Sequence, residues 1–190
     1  VVYHPLERAF YACTGDIDRG FGNECHWLRG TYDTPSDTWD WQVVVSVNSN
    51  SRYKSGGINF VDGQLYWAAD ANGPKRSDEE YDRGIFHCAP GDLADPSKHT
   101  LLFNPEFELA NMIIEDGVIV AGHCAPASTY ATGIVISPDM GKTWKQYDLA
   151  EYGPRSPVRF HPKNSDGWFR VDLRKGWIER AEVLFLKPKV

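Results

Sequence analysis

Residues able to bind or transform an anionic ligand lie where the apolar runs of this sequence begin and end. Arg52, Tyr53 and Lys54 stand together before one run, and Asp70 and Asn72 follow the next. Guanidinium and ammonium groups bind carboxylates through charge-assisted hydrogen bonds, and a guanidinium can form two in parallel. These residue types predict a site for an acidic ligand, provided that the fold gathers the strand ends.

The same residue types recur at the ends of later runs. The residues predicted to bind ligand are Arg52, Lys54, Asp70, Asn72, Asn111, Arg174 and Trp67. The residues predicted to act in catalysis are His123 or Tyr53 as a base and Arg155 as a neutraliser of carboxylate charge. Further polar strand ends are Asp16, Asp18, Glu108, Ser156 and Asp172, and candidates for stacking on sugar rings are Trp27, Tyr53, Trp67 and Tyr130.

Structural interpretations of these residues stay open. Arg52 and Arg155 can instead pair with Asp70 or Asp172 as salt bridges between neighbouring sheets. The "DANG" segment that holds Asp70 can simply shape a turn, because Asp and Asn side chains bond nearby backbone. His123 lies beside a cysteine on an expected strand, which also suits a structural histidine.

Composition limits the classes of partner. The 190 residues suit one domain with a substantial core, and seven Trp, nine Tyr and nine Phe suit strands and sugar-stacking faces. The formal charge is -6 and no block of Lys and Arg offsets it, so we expect no nucleic-acid partner.

No apolar run approaches the roughly 20 residues of a membrane span. The start "VVYHPLERAF" reads like mid-strand, so we interpret the chain as part of a longer extracellular, periplasmic or virion-surface protein.

The four cysteines do not have the spacing of a metal site. Cys13, Cys25, Cys88 and Cys124 include no C-x-x-C pair, and three of them adjoin histidines. Neighbours on a strand point to opposite faces, so an adjacent Cys-His pair does not easily share one metal. We expect cysteines buried as small apolar residues, with a Cys13–Cys25 disulfide as the alternative in a secreted protein. No cofactor is predicted; clustered Asp residues could at most hold Ca²⁺.

The elements that must position these residues are predicted to be short strands. Asp-Gly turns at Asp62-Gly63, Asp116-Gly117 and Asp166-Gly167 recur at intervals of 54 and 50 residues, and a fourth turn lies near Leu6 and Glu7. Four-stranded units of this length are typical of β-propeller blades. We therefore predict one all-β propeller domain over residues 1–190, with antiparallel blades at about 1–48, 49–104, 105–152 and 153–190.

One segment carries a recognisable motif. "SPDMGKTW", residues 137–144, fits S-x-D-x-G-x-T-W at Ser137, Asp139, Gly141, Thr143 and Trp144. It resembles the Asp-box (BNR) repeats of the sialidase-like propeller superfamily. A carboxylate and a hydroxyl there can bond the N–H groups of the turn, so we interpret the box as a structural staple. The resemblance implies that the active face lies at the opposite end of the blades.

The resemblance also implies a larger ring. Sialidase-like propellers have six or more blades, so about four blades here would be part of a six- or seven-bladed propeller, completed by the same or another chain. An open arc of blades would leave strand edges exposed.

The predicted function is binding of an acidic oligo- or polysaccharide, such as one with uronate or sialic acid, at the mouth opposite the box. One alternative is a polysaccharide-degrading enzyme, either a uronate lyase or a glycoside hydrolase with two carboxylates. Arg52, Arg155 and Arg174 could mimic the arginine cluster of sialidases, but the F-R-I-P-type opening is absent. Another alternative is a non-enzymatic protein-interaction or viral receptor-binding propeller.

Overall fold

The computed structural model describes residues 1–14, 25–47, 52–70, 83–104, 109, 111–122, 133–149, 155–175 and 179–188, with backbone alone at 155–158, 174–175 and 179–182. Within these ranges every regular element is a β-strand, apart from two single-turn 3₁₀ helices, Pro90–Asp92 and Pro96–Lys98. The all-β prediction is confirmed. In the described part of the chain, no helix is long and apolar enough to cross a membrane.

The strands form four separate antiparallel sheets, each made of strands that are consecutive in sequence. The first sheet contains β1 (Val2–His4), β2 (Ala9–Thr14), β3 (Cys25–Asp33) and β4 (Thr38–Val47). The second contains β5 (Ser55–Val61), β6 (Gln64–Ala69), β7 (Gly84–Cys88) and β8 (Thr100–Phe103). The third contains β9 (Asn111–Glu115), β10 (Val118–Gly122), β11 (Gly133–Ser137) and β12 (Lys145–Asp148). The fourth contains β13 (Arg155–His161), β14 (Phe169–Lys175) and β15 (Glu179–Leu186).

The fourth sheet corrects one expectation. Four-stranded units were predicted throughout, and the described residues of this sheet form three strands in the order β13-β14-β15. The other three sheets have four strands each, and each predicted unit contains one sheet.

Two of the three Asp-Gly turns have the expected conformation. Asp62 and Gly63 have φ of 49° and 77°, and Asp116 and Gly117 have φ of 48° and 75°. A type I′ turn requires positive φ at both positions, which Asp tolerates and Gly favours. The third turn differs: Gly167 has φ of 79°, but Asn164 pairs with Trp168 around a longer loop. The amide oxygen of Asn164 accepts from the N–H groups of that loop.

The first strands of successive sheets lie next to one another, β1 beside β5, β5 beside β9 and β9 beside β13. The Asn59 side chain joins β5 to β9: its Nδ2 donates to the Met112 carbonyl at 3.3 Å and its Oδ1 accepts from Ile114 N–H at 3.0 Å. Gly57 makes this approach feasible, because a Cβ there would lie 2.6 Å from the Met112 nitrogen. The sheets therefore adjoin along their first strands.

The core lies between successive sheets. Tyr11 and Trp27 of the first sheet pack with Trp67 and Phe86 of the second. One cluster joins the second and third sheets, and another joins the third and fourth. β10 and β11 are buried along their whole length, as their continuous apolar sequences predict for strands covered on both faces. In contrast, β12 is exposed throughout and β9 is largely half-buried, so the two middle strands of this sheet are its most buried part.

Candidate functional site

The two ends of the sheets are distinguished here by the turns. The turn end holds the loops between the first and second strands, at residues 5–8, 62–63, 116–117 and 162–168. Neighbouring turns at this end touch: Gly63 lies against the Leu6 side chain, and Lys163 Nζ lies 3.2 Å from Asp116 Oδ2. The tip end is the opposite end, where β5 begins and β6 ends, and it carries the predicted site residues.

A buried ion pair closes the tip end of the second sheet. Lys54 Nζ lies 3.4 Å from Asp70 Oδ2, and Lys54 is only 5% exposed. The Asp70 N–H also donates to the Lys54 carbonyl at 2.6 Å, which extends the β5–β6 pairing by one residue. An ammonium group removed from water needs a compensating carboxylate, and Asp70 supplies it. Lys54 thus forms an ion pair with Asp70. The salt-bridge interpretation of the sequence had considered Arg52 and Arg155 as the cations.

Two thiols adjoin this pair. The Cys13 thiol donates to the Tyr53 carbonyl at 3.2 Å. A hydrogen bond from Cys25 lowers the pKa of Cys13 against the opposing effect of burial, and the charge of Lys54 acts in the same direction. The hydrogen bond to Cys13, together with burial, raises the pKa of Cys25. Cys13, Cys25 and Cys88 are free thiols, and Cys25 and Cys88 are buried as predicted, whereas Cys13 is half-buried.

Tyr53 is part of the core at the tip end. Its hydroxyl donates to the Leu93 carbonyl at 2.9 Å, and its own carbonyl accepts from the Trp27 indole N–H at 2.6 Å. The residue is 4% exposed. Because both ends of Tyr53 hold other elements in place, its position does not suit the catalytic base that the sequence suggested.

The predicted stacking rings are buried. Trp27 and Trp67 have no exposed surface, and their rings meet edge to face at 5.6 Å between centroids. The Trp67 indole N–H donates to the Arg52 carbonyl at 2.7 Å. The structure therefore corrects the sugar-stacking prediction for these two rings, because neither has a face that a ligand could reach.

Arg52 contacts its own sheet. Its Nη1 donates to the Pro96 carbonyl at 3.3 Å, and its guanidinium lies 5.0 Å from the centre of the Phe86 ring. The side chain keeps partial exposure, so these contacts fix its direction without burying it. Arg52 is consequently a cation with a defined position, two residues before Lys54 in the sequence.

The third and fourth sheets bring further predicted residues to the tip end. Asn111 pairs in register with Gly122 at the ends of β9 and β10. The backbones of Arg155 and Arg174 lie at the corresponding ends of β13 and β14, where Arg155 pairs with Lys175 and Ser156 with Arg174. The described partners of Asp172 are His161 at 3.1 Å and Arg170 at 2.9 Å. The predicted residues that lie outside the described ranges are Asp16, Asp18, Asn72, Glu108, His123, Cys124 and Tyr130.

The Asp box lies at the turn end, next to the Asp116-Gly117 turn, where Met140 N–H donates to the Gly117 carbonyl at 3.0 Å. Asp139 accepts from the Thr143 N–H at 2.8 Å and from the Thr143 hydroxyl at 2.7 Å. Ser137 Oγ accepts from the Gly141 N–H at 2.7 Å and donates to Asp139 at 2.9 Å. These bonds use the polar groups of the motif inside the turn.

Two further contacts tie the box to its surroundings. The Trp144 indole N–H donates to the Gly141 carbonyl at 3.0 Å, and its ring lies 4.6 Å from Phe103 of the second sheet. The bonds from Thr143 lower the pKa of Asp139, so the carboxylate stays ionised. This geometry agrees with the predicted structural role of the box, which stays a prediction.

The Lys54–Asp70 pair was not predicted, although the spacing of the two residues around the Asp62-Gly63 turn indicates it. Counting outwards from the Asp62-Gly63 turn, the β5–β6 register places residues 54 and 70 opposite each other once the irregularity at residues 55–57 is allowed for. The proximity of Cys13 to Tyr53 had no such signal, because a contact between sheets joins residues 40 positions apart.

Metal ligands do not converge in the described part of the chain: there, no three His, Cys, Asp or Glu side chains are placed to share an ion. The described residues therefore do not form the Ca²⁺ site that the sequence suggested. Asp16 and Asp18, which belonged to that suggestion, fall outside the described ranges.

Comparison with known proteins gives a similarity of fold. No protein-family model matches the chain, and no curated protein does. A solved structure from Bacteroides fragilis NCTC 9343, a protein named only provisionally as a 6-phosphogluconolactonase, matches with a TM-score of 0.50 and 9% identity. The match covers 92% of this chain and 48% of that one, so the chain spans about half the length of the structure it matches. At this identity the similarity concerns the fold alone.

Proposed function

We propose that this chain is part of a sialidase-like β-propeller of the Asp-box type, which binds an acidic glycan at the tip end of its sheets. The observation that carries the proposal is the contrast in polar groups between the two ends. At the turn end, the box uses its carboxylate and hydroxyls for its own hydrogen bonds. At the tip end, Arg52, Lys54 and Asp70 stand together at the start of the second sheet.

Three observations support a propeller arrangement. Successive sheets adjoin through their first strands, as blades do around a central axis. The second and third sheets each pack one face on the preceding sheet and the other on the following one. The fold also resembles a solved chain about twice as long, which supports a complete propeller larger than these four sheets.

Positive groups at the tip end favour an acidic sugar as the ligand. Arg52 is fixed beside the buried Lys54, and the backbones of Arg155 and Arg174 reach the same end of the fourth sheet. Guanidinium groups bind the carboxylates of uronates and sialic acids in bidentate fashion. Asn111 at the start of β9 adds an amide that can bond sugar hydroxyls. An outer location, at the cell surface, in the periplasm or on a virion, suits this ligand.

Binding is favoured over catalysis because the described candidate for a base is occupied. The Tyr53 hydroxyl is buried and bonded to a backbone carbonyl. A carboxylate pair of the kind that glycosidases use requires two groups across a substrate. At the tip end of the second sheet, Asp70 is the carboxylate among the described residues, and its ion pair with Lys54 makes it unsuited to act in such a carboxylate pair.

The test compares two cation variants in titration calorimetry with a uronate oligosaccharide and a sialylated one. We expect Arg155→Ala, at the tip end, to weaken binding of at least one of them about tenfold or more, as loss of a charge-assisted pair would. Lys142→Ala removes an exposed cation from the box at the turn end and should leave affinity unchanged. Lys142→Ala should melt within about two degrees of the parent, as surface substitutions do, and we expect little loss of melting temperature from Arg155→Ala.

An equal loss of affinity in both variants would indicate nonspecific charge attraction and would contradict a binding site at the tip end. No binding of either oligosaccharide by the parent chain would contradict the ligand class. Incubation with the corresponding polysaccharides, followed by assays for unsaturated products and new reducing ends, separates a binding module from a lyase or a hydrolase. We expect both assays to be silent.

A further inference from the structure

The connection between β7 and β8, residues 89–99, folds into two single-turn 3₁₀ helices and does not join a sheet. It is called the 89–99 segment below. Its described backbone hydrogen bonds each span three positions, as between Leu93 and Pro90 or between His99 and Pro96. Such bonds set the local shape of the segment but do not attach it to the strands beside it. Side chains must therefore hold the 89–99 segment in place.

Side chains bond two carbonyl groups of the segment. The Leu93 carbonyl accepts from the Tyr53 hydroxyl at 2.9 Å and from His99 Nε2–H at 3.0 Å. The Pro96 carbonyl accepts from Arg52 Nη1 at 3.3 Å. The Leu93 side chain is fully buried in the core between the first two sheets. The segment is thus held against the residues that precede β5, and His99 is part of the same network of bonds.

The His99 ring packs against two aromatic rings. Its centroid lies 5.5 Å from that of Tyr53 and 5.0 Å from that of Trp67, edge to face in both cases. Because a carbonyl only accepts, Nε2 carries the hydrogen that bonds Leu93, and Nδ1 is the bare nitrogen of a neutral imidazole. Nδ1 is buried and has no hydrogen-bond partner among the described residues. A proton on Nδ1 would therefore place an unbonded N–H and a charge in the core.

The surroundings of His99 favour its neutral form. Burial lowers the pKa of His99, against the effect of the hydrogen bond to the Leu93 carbonyl. The positive charge of Arg52 acts in the same direction as burial, whereas the Asp92 carbonyl and the Asp95 carboxylate oppose it. In an open segment the ring would be in water, with the ordinary pKa of about 6.5. The closed segment is consequently favoured most above about pH 6.5 and less as the pH falls towards the lower pKa of the closed state.

We propose that His99 is an acid-sensitive latch: its neutral imidazole holds the 89–99 segment against Tyr53 and Trp67, and protonation releases the segment from the sheet. Release separates Leu93 from the Tyr53 hydroxyl and Pro96 from Arg52, so it changes the surface at the start of β5. The inference rests on the packing of this segment and does not depend on glycan binding.

Nuclear magnetic resonance of the isotopically labelled 190-residue chain tests the proposal between about pH 7.5 and about pH 5. The His99 ring should titrate below about pH 6.5. Cross-peaks between the rings of His99 and Trp67, which lie 5.0 Å apart in the closed segment, should disappear with the same midpoint. Hydrogen exchange of the buried Leu93 amide, corrected for its intrinsic pH dependence, should be about tenfold faster at the lower pH.

Two histidine variants separate the latch from other titrations. His99→Gln keeps an amide that can donate to the Leu93 carbonyl but carries no charge, so the corrected exchange of Leu93 should no longer depend on pH. His87→Gln is the matched control, because burial also lowers the pKa of His87, but its ring stacks on Tyr66 rather than on the 89–99 segment. This variant should release the segment with the midpoint of the parent chain.

The proposal would be overturned by cross-peaks between His99 and Trp67 that persist once His99 is protonated. A His99 ring that titrates at or above its ordinary pKa would also overturn it, as would an unchanged pH dependence of Leu93 exchange in His99→Gln. Strand signals that vanish together with those of the segment would show general unfolding instead of release, with the same consequence. Should His99→Gln not fold, the parent chain and His87→Gln still decide through the ring cross-peaks.

Discussion

The turn end and the tip end of the same sheets are held together in different ways. At the turn end, many hydrogen bonds join residues only a few positions apart, as between Asp139 and Thr143 or between Asn164 and Trp168, and longer-range bonds such as Lys163 to Asp116 link neighbouring turns. At the tip end the described side-chain hydrogen bonds of Arg52, Tyr53 and Trp67 join residues 15 to 44 positions apart, as between Trp67 and Arg52 or between Arg52 and Pro96. The turn end thus has a larger share of bonds within single hairpins, whereas the tip end depends mainly on contacts between separate segments.

This difference bears on where a binding site can lie. A turn whose polar groups bond one another offers few groups to a ligand, as in the Asp box. At the tip end the strands are fixed by buried side chains, among them Tyr53, Trp67 and Lys54. A rigid base of this kind suits the support of loops that recognise ligands. The comparison therefore predicts larger losses of stability from substitutions at the tip end.

The largest effect is expected from Trp67→Ala. The ring is fully buried between the first two sheets, and its indole N–H bonds the Arg52 carbonyl. Removing it leaves a cavity and an unpaired acceptor, which should lower the free energy of unfolding by about 3–5 kcal/mol. Urea denaturation followed by circular dichroism measures the change. Trp144→Ala, the same substitution at the box, is the control and should cost less than half as much, because that ring is partly exposed.

An equal loss from the two tryptophan variants would contradict the distinction between the ends. Such a result would mean that the Trp144–Phe103 contact between the second and third sheets matters as much as the core between the first two.

The next effect is expected from Lys54→Met, which keeps the aliphatic part of the side chain and removes the charge. Asp70 then loses its ammonium partner in a largely buried position, and we expect a loss of about 3 kcal/mol. The value lies at the lower limit for buried pairs, because the Asp70 side chain is 21% exposed. Urea denaturation at neutral pH provides the measurement.

The turn end supplies a matched ion pair as the control. Lys163 Nζ lies 3.2 Å from Asp116 Oδ2, a separation close to that of Lys54 and Asp70, but the Asp116 side chain is 78% exposed. Lys163→Met should therefore cost less than about 1 kcal/mol. If the two lysine variants lost equal stability, burial would not be what separates the two pairs.

The sequence predicted the turn end well because its determinants are local. Asp62-Gly63 and Asp116-Gly117 adopt positive φ for reasons contained in two residues. The bonds within the box likewise follow from residue types spaced a few positions apart. Strands such as β10 and β11 were recognisable from continuous apolar runs. The exception, Asp166-Gly167, arose because Asn164 directs a longer turn through its own side chain.

Prediction was weaker at the tip end because packing between sheets decides which polar or aromatic residue is accessible. Trp67 and Tyr53 looked like surface groups at strand ends, and both are buried by residues from other segments. An arginine was one partner considered for Asp70, and the residue that precedes β5, Lys54, pairs with it. Such outcomes depend on which sheet faces lie together, and short sequence patterns do not encode that choice.

The smallest effect is expected at the box, from Asp139→Asn. Hydrogen bonds from Thr143 hold the pKa of Asp139 below its ordinary value, so the folded state favours the ionised carboxylate. A depressed carboxyl pKa contributes stability that is fully present above the unfolded-state pKa of about 3.9 and is lost as pH falls through the lower folded-state value. The variant should therefore melt below the parent at pH 7 by less than Lys54→Met does, and the difference should shrink below about pH 4.

Thermal melts at a series of pH values test this sign, with Asp62→Asn as the control. Asp62 occupies a turn position with positive φ that Asn also adopts readily, so its replacement should leave the melting temperature at pH 7 close to that of the parent. A deficit for Asp139→Asn that stayed constant down to pH 3 would mean that shape, rather than the ionised carboxylate, holds the box together. Because the bonds of Asp139 are confined to its own turn, even complete loss of its charge should leave the tip end folded.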